Sequence, residues 1–153
     1  MIHATLQQGS LDARDCGNFR RMADRIDNPW EDLVLAILSV NKYSLEKTFL
    51  VVETLRGEGL FHPENLVRWT PEEIGIRLKR GGYDRGDFMT RLFADRLASL
   101  GRFVKSAGVK ECERVLRSGG ANTLERFLFP VRGIGPRVVE NFVLLRNTSS
   151  QTA

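Results

Sequence analysis

The segment Phe129-Pro130-Val131-Arg132-Gly133-Ile134-Gly135-Pro136-Arg137 constrains this chain more than any other stretch. Two glycines around one apolar residue permit a sharp turn through positive φ, a conformation that a Cβ disfavours. Pro136 suits the first turn of a helix, where its missing N–H would have had no intrahelical acceptor. The residues therefore predict a hairpin that aims a new helix from Pro136. The unpaired amides and positive dipole end of such a helix attract an anion, and Arg132 and Arg137 add charge on either side. The plain alternative is a glycine-terminated connection between two helices. The apolar residue between the glycines and the adjoining arginines exceed what a turn requires.

Elsewhere apolar residues recur at helical spacing and no segment alternates as a strand does, so the expected class is all-α. Residues 1–14 are small and polar and read as a loose arm. A basic helix is expected from Cys16 to Ile26. Asn28 as N-cap, Pro29 and Glu31 then open a helix over Trp30 to Val40. Leu33, Val34, Leu35, Ile37 and Leu38 make that helix apolar all round, which predicts a central position.

Ser44 caps an expected helix from Leu45 to Arg56, and a short one follows over Glu64 to Trp69. Thr70-Pro71-Glu72-Glu73 is a second capping box, whose helix ends at Gly81-Gly82. The longest helix is expected over Arg85 to Lys105, capped by Asp84 or Asp87 and burying Phe88, Leu92, Phe93, Leu97, Leu100 and Val104. Val109 to Arg117, Thr123 to Phe129 and Pro136 to Arg146 complete the set. The polar stretch 147–153 reads as a disordered tail. No linker divides the chain, so residues 15–146 form one expected domain.

The charge balance narrows the partners. At 153 residues with a net charge of +4 and an arginine-dominated basic side, the chain favours phosphate, because a guanidinium donates in pairs from a planar fork. No apolar run approaches the roughly 18 residues needed to span a bilayer, and no signal sequence is evident at the N-terminus, so a cytoplasmic location is expected and a membrane partner is not. Cys16 and Cys112 are isolated, which predicts reduced, packed thiols rather than a metal site or an iron–sulfur loop.

The hairpin segment resembles the helix-hairpin-helix DNA-binding motif: an apolar residue, any residue, then Gly-apolar-Gly before a helix of small and branched residues. Val131 to Val143 fits that form. Two further segments extend the likeness. Ile37-Leu38-Ser39-Val40-Asn41-Lys42-Tyr43-Ser44 is similar to the family's "LSAQAT" helix end, or "FLNRTS" in its thymine-mismatch branch. Gly81-Gly82-Tyr83-Asp84-Arg85 is similar to "GLYxxKA". From about Asn28 to Arg146 the chain thus looks like the endonuclease III-like superfamily of base-excision DNA glycosylases, whose fold is a six-helix barrel with the hairpin near its C-terminal end.

The resemblance implies a role for each matched position. Arg132, Gly133, Ile134, Gly135 and Arg137 would hold a phosphate of double-stranded DNA, damaged or mismatched. A sodium or potassium ion would sit on the carbonyls of Phe129, Val131 and Ile134. Asn41 would fill the gap left by a flipped nucleotide, and Lys42 would meet a phosphate; the alternative is a left-handed helix terminator and a cation placed on the helix dipole. Tyr83 would line the base pocket, or else pack half-buried.

The catalytic pattern departs from the family. Where bifunctional members carry a nucleophilic lysine, this chain has Arg137, which stays protonated. Members also use an aspartate well beyond the hairpin, and here neither Asp nor Glu follows Glu140. Glu140 is a weak candidate for that role, with a surface ion pair to Arg137 or a neighbouring arginine as its alternative. Three functions stay open: a monofunctional glycosylase without lyase chemistry, a non-catalytic DNA-binding module, and a helical protein-interaction domain.

Overall fold

The computed structural model describes residues 27–40 and 43–152, and the side chains among them up to 148. The expected arm over 1–14, the basic helix from Cys16 to Ile26, and Asn41 and Lys42 lie outside the described residues. Within them the chain is all-α, with no strand.

Among the described residues nine helices follow in order: α1 (Pro29–Leu38), α2 (Leu45–Phe49), α3 (Val52–Gly57), α4 (Pro63–Arg68), α5 (Pro71–Arg80), α6 (Asp87–Ala107), α7 (Val109–Ser118), α8 (Ala121–Phe127) and α9 (Pro136–Thr152). α1 begins where its signals stand. Asn28 Oδ1 accepts the Trp30 amide at 3.0 Å, Pro29 occupies the first turn, and every residue of the helix is buried. It lies against α2, α6, α7 and α9, as a helix apolar on all sides must.

The Glu31 carboxylate and the Trp30 indole N–H are buried with α1, and each finds a partner. Glu31, 1% exposed, accepts from Arg56 of α3 through Nε at 3.0 Å and Nη2 at 3.1 Å. The Trp30 indole donates to Glu113 of α7 at 2.7 Å. Half of the second capping box forms, with Thr70 accepting the Glu73 amide at 3.2 Å, while the Glu73 carboxylate pairs with Arg77 instead.

The long α6 is the second organiser, packed against α4, α5, α1 and α7. At Gly101 it meets α4 so closely that an added Cβ would stand 2.1 Å from the Leu66 carbonyl oxygen. Ion pairs cover the outer surfaces, among them Arg77–Glu73 at 2.6 Å and Arg80–Glu58 at 3.0 Å.

Several boundaries differ from expectation, each for a local reason. The helix expected from Leu45 to Arg56 is broken at Leu50 and Val51, where Val51 leaves helical geometry at φ −117° and ψ 16° and seats its side chain against Gly82. Neither Asp84 nor Asp87 caps α6. Gly86 does, while Asp84 accepts the Gly86 amide at 3.0 Å and Asp87 pairs with Lys79.

Phe88, expected in the core, is 79% exposed, because it lies about 140° around α6 from the buried Phe93. The helix after the hairpin does not end at Arg146 as expected but runs to Thr152, so the stretch assigned to a disordered tail is helical up to that residue. Thr148 bonds back to the Leu144 carbonyl at 2.9 Å, and neither Gly nor Pro interrupts the run. Arg146 itself turns inward, donating to the Leu116 and Gly119 carbonyls at 2.8 and 2.9 Å, and so closes the end of α7.

Candidate functional site

The hairpin forms where the sequence places it. α8 ends at Phe127, and Val131 accepts a turn from Leu128, its amide donating to that carbonyl at 2.9 Å. Gly133 adopts φ +86° and α9 starts at Pro136. Val131 is buried and Ile134 packs against the same core, so the two apolar residues root the loop. Arg132, Gly133, Arg137 and Glu140 are exposed.

α6 fixes the loop from below. Buried Ser99 accepts the Arg132 amide at 2.9 Å, and the Arg96 side chain runs beneath Gly133. A Cβ at Gly133 would stand 2.5 Å from both Cδ and Nε of Arg96. The glycine is therefore required twice, for its φ and for the space that Arg96 occupies.

The amides divide accordingly. That of Arg132 is engaged by Ser99, and that of Ile134 turns back to the Val131 carbonyl at 3.4 Å. Those of Gly133 and Gly135 have no acceptor among the described residues, and neither do the first-turn amides of α9 before Val139. These free donors, with the exposed arginines beside them, make the loop an anion-accepting surface.

The other two segments singled out in the sequence converge on the same side of α6. Arg85 donates to the Val40 carbonyl at 3.0 Å and lies 4.6 Å from the Tyr43 ring, so it bridges the residues on either side of Asn41 and Lys42. Asn141 of α9 donates to the Ser39 carbonyl at 3.2 Å. Phe93 joins the two regions: the Arg85 and Arg96 guanidinium carbons stand 5.0 and 4.8 Å from its ring centre.

Tyr83 is a core residue in this arrangement, not an open pocket wall. It is fully buried, donates to the Leu38 carbonyl at 2.8 Å and accepts from Arg85 at 3.2 Å. Tyr43 and Phe93 pack edge-on against its ring. Burial pushes its pKa up to about 12, against the opposing pull of the Arg85 hydrogen bond and charge.

Glu140 stands exposed on α9, and the anticipated ion pair with Arg137 does not form, since two solvated side chains gain little from meeting. Of the proposed ion-binding carbonyls, that of Val131 accepts the Ile134 amide, which leaves it one lone pair. Among the described residues no group of His, Cys, Asp or Glu could hold a metal ion. Cys112 is buried and unpaired, and burial pushes its thiol pKa up to about 11.

Arg96 escaped the sequence reading. Its number carries no motif, and only the fold brings it under a glycine more than thirty residues away. The exposed Phe129, next to Arg126 at the hairpin's approach, is a second such neighbour. No helix among the described residues is long and apolar enough to cross a membrane. No family model, no curated protein and no solved structure matches the chain.

Proposed function

We propose that this chain is a duplex-DNA-binding protein of the base-excision glycosylase type, an endonuclease III-like barrel that grips a backbone phosphate through its hairpin. The observation that carries this is the exposed loop at Gly133. There, amides without acceptors among the described residues, the start of a 17-residue helix and the exposed Arg132 and Arg137 lie together in one short stretch of chain. The meeting of the three matched segments around Phe93 supports the same assignment. A sodium or potassium ion on the Phe129, Val131 and Ile134 carbonyls would complete the grip.

Any base removal is monofunctional, because Arg137 stands at the position of the Schiff-base lysine and a guanidinium cannot replace that amine as a nucleophile. The alternative, a binding module without chemistry, is favoured by one specific observation. Tyr83 packs against Leu38, Tyr43 and Phe93, and the charged groups on the Phe93 ring are the guanidiniums of Arg85 and Arg96.

Duplex affinity tests the proposal. It is expected to fall steeply from low to moderate salt as counterions are released, and Arg137→Ala is expected to weaken all sequences alike. Binding that is absent, or indifferent to salt, refutes it. Duplexes carrying uracil, thymine mismatches, oxidised purines or alkylated bases then separate glycosylase from module, and borohydride is expected to trap no adduct on abasic DNA.

A further inference from the structure

Arg96 is a cation without an acid among the described residues. It is half-buried on α6, its Nε is enclosed with no hydrogen-bond acceptor, and its guanidinium carbon would lie 3.0 Å from a Cβ at Gly133. The groups that face it are the Tyr83 hydroxyl and the Arg85 guanidinium from the connection before α6, and the Phe93 ring on α6 itself. Burial lowers its pKa; the Arg85 charge lowers it further and Tyr83 opposes.

Other arginines of this protein are given carboxylates: Glu31 for Arg56, Glu73 for Arg77, Glu58 for Arg80, Asp95 for Arg91 and Glu111 for Arg114. A partly desolvated guanidinium left with a like-charged neighbour is unfavourable in the free protein. An arriving anion reverses that penalty, and the gain is larger than at a fully solvated arginine because less water is displaced. Directly beside it is the backbone of Gly133, whose amide has no acceptor among the described residues.

We infer that Arg96 is an oxyanion ligand, completing from below the phosphate site that the hairpin amides form from above, with a phosphodiester of the bound strand as its anion. This assignment rests on the hairpin holding nucleic-acid phosphate. It adds that the site includes a guanidinium from α6, and so spans two elements far apart in sequence.

The test compares the full chain with Arg96→Met, which keeps the apolar stem, and Arg96→Lys, which keeps the charge. Arg96→Met is expected to bind a short duplex about tenfold more weakly, the worth of one charge-assisted hydrogen bond. Its affinity is also expected to depend less steeply on salt, by about one unit of slope. Arg96→Lys is expected to recover the salt slope but only part of the affinity. In the wild type, the Arg96 Nε–H resonance is expected to shift on adding duplex. This readout does not depend on any variant folding. An adduct-like shift with inorganic phosphate alone, and none with duplex, overturns the strand assignment. If Arg96→Met binds and titrates like the wild type while Arg137→Ala is impaired, the role of Arg96 is refuted and the hairpin proposal stands. If the wild type binds no duplex, both fall together.

Discussion

Ser99 on α6 accepts the backbone amide of Arg132 at 2.9 Å, across 33 residues of sequence. One hydroxyl thus pins the hairpin to the long helix, and the amide it takes is withdrawn from any ligand. The anion-accepting donors are those left over, at Gly133, Gly135 and the first turn of α9. Ser99→Ala is expected to destabilise the fold by about 1 kcal/mol, the value of one net hydrogen bond. It is also expected to weaken duplex binding by loosening the loop. Thermal denaturation and a binding isotherm on the same sample check both halves.

Gly133→Ala is expected to cost about 1–3 kcal/mol from strain at φ +86°, and more from collision with Arg96. The two contributions are separable. In an Arg96→Ala background the collision is absent, so Gly133→Ala should be distinctly milder there. A double-mutant cycle in urea measures the difference, and equal costs in both backgrounds would show that the side chain yields without penalty.

Tyr83 sets an alkaline limit on stability. Its folded pKa of about 12 exceeds the ordinary value near 10, and that of Cys112, about 11, exceeds its own. Both groups prefer to stay protonated when folded, so their contribution is complete below their unfolded pKa values and is lost as pH rises toward 11 and 12. The expected melting temperature is level up to about pH 8.5 and declines above it. Tyr83→Phe should remove the steepest part of the decline, at a cost of about 1 kcal/mol near neutral pH for the bond to Leu38.

Gly101 is predicted to tolerate no side chain. An alanine there would meet the Leu66 carbonyl at 2.1 Å and force α4 away from α6, with an expected loss of about 1–3 kcal/mol. The denaturation midpoint should drop, while the hairpin, held by Ser99 about 200° around α6 from Gly101, should keep its salt-dependent affinity per folded molecule.

What was legible in the residues is what local chemistry governs. Asn28, Ser44 and Thr70 cap the helices they precede because a short polar side chain competes for the first free amides wherever the chain stands. Gly133 and Pro136 bend and restart the backbone by their own torsional limits. Leu33 to Leu38 demanded burial on every side, and α1 is accordingly enclosed.

The remainder needed the tertiary structure, because it depends on which faces meet. Phe88 and Phe93 are equally apolar, yet the turn of α6 exposes one and buries the other. Tyr83 reads as a pocket residue until Leu38, Tyr43 and Phe93 close around it. The sequence by itself determined an all-helical body with a tight glycine bend before its final helix. Only the packing decided that Arg96 would pass under that bend without a carboxylate, since long-range apposition follows from burying apolar surface and leaves no periodic trace along the chain.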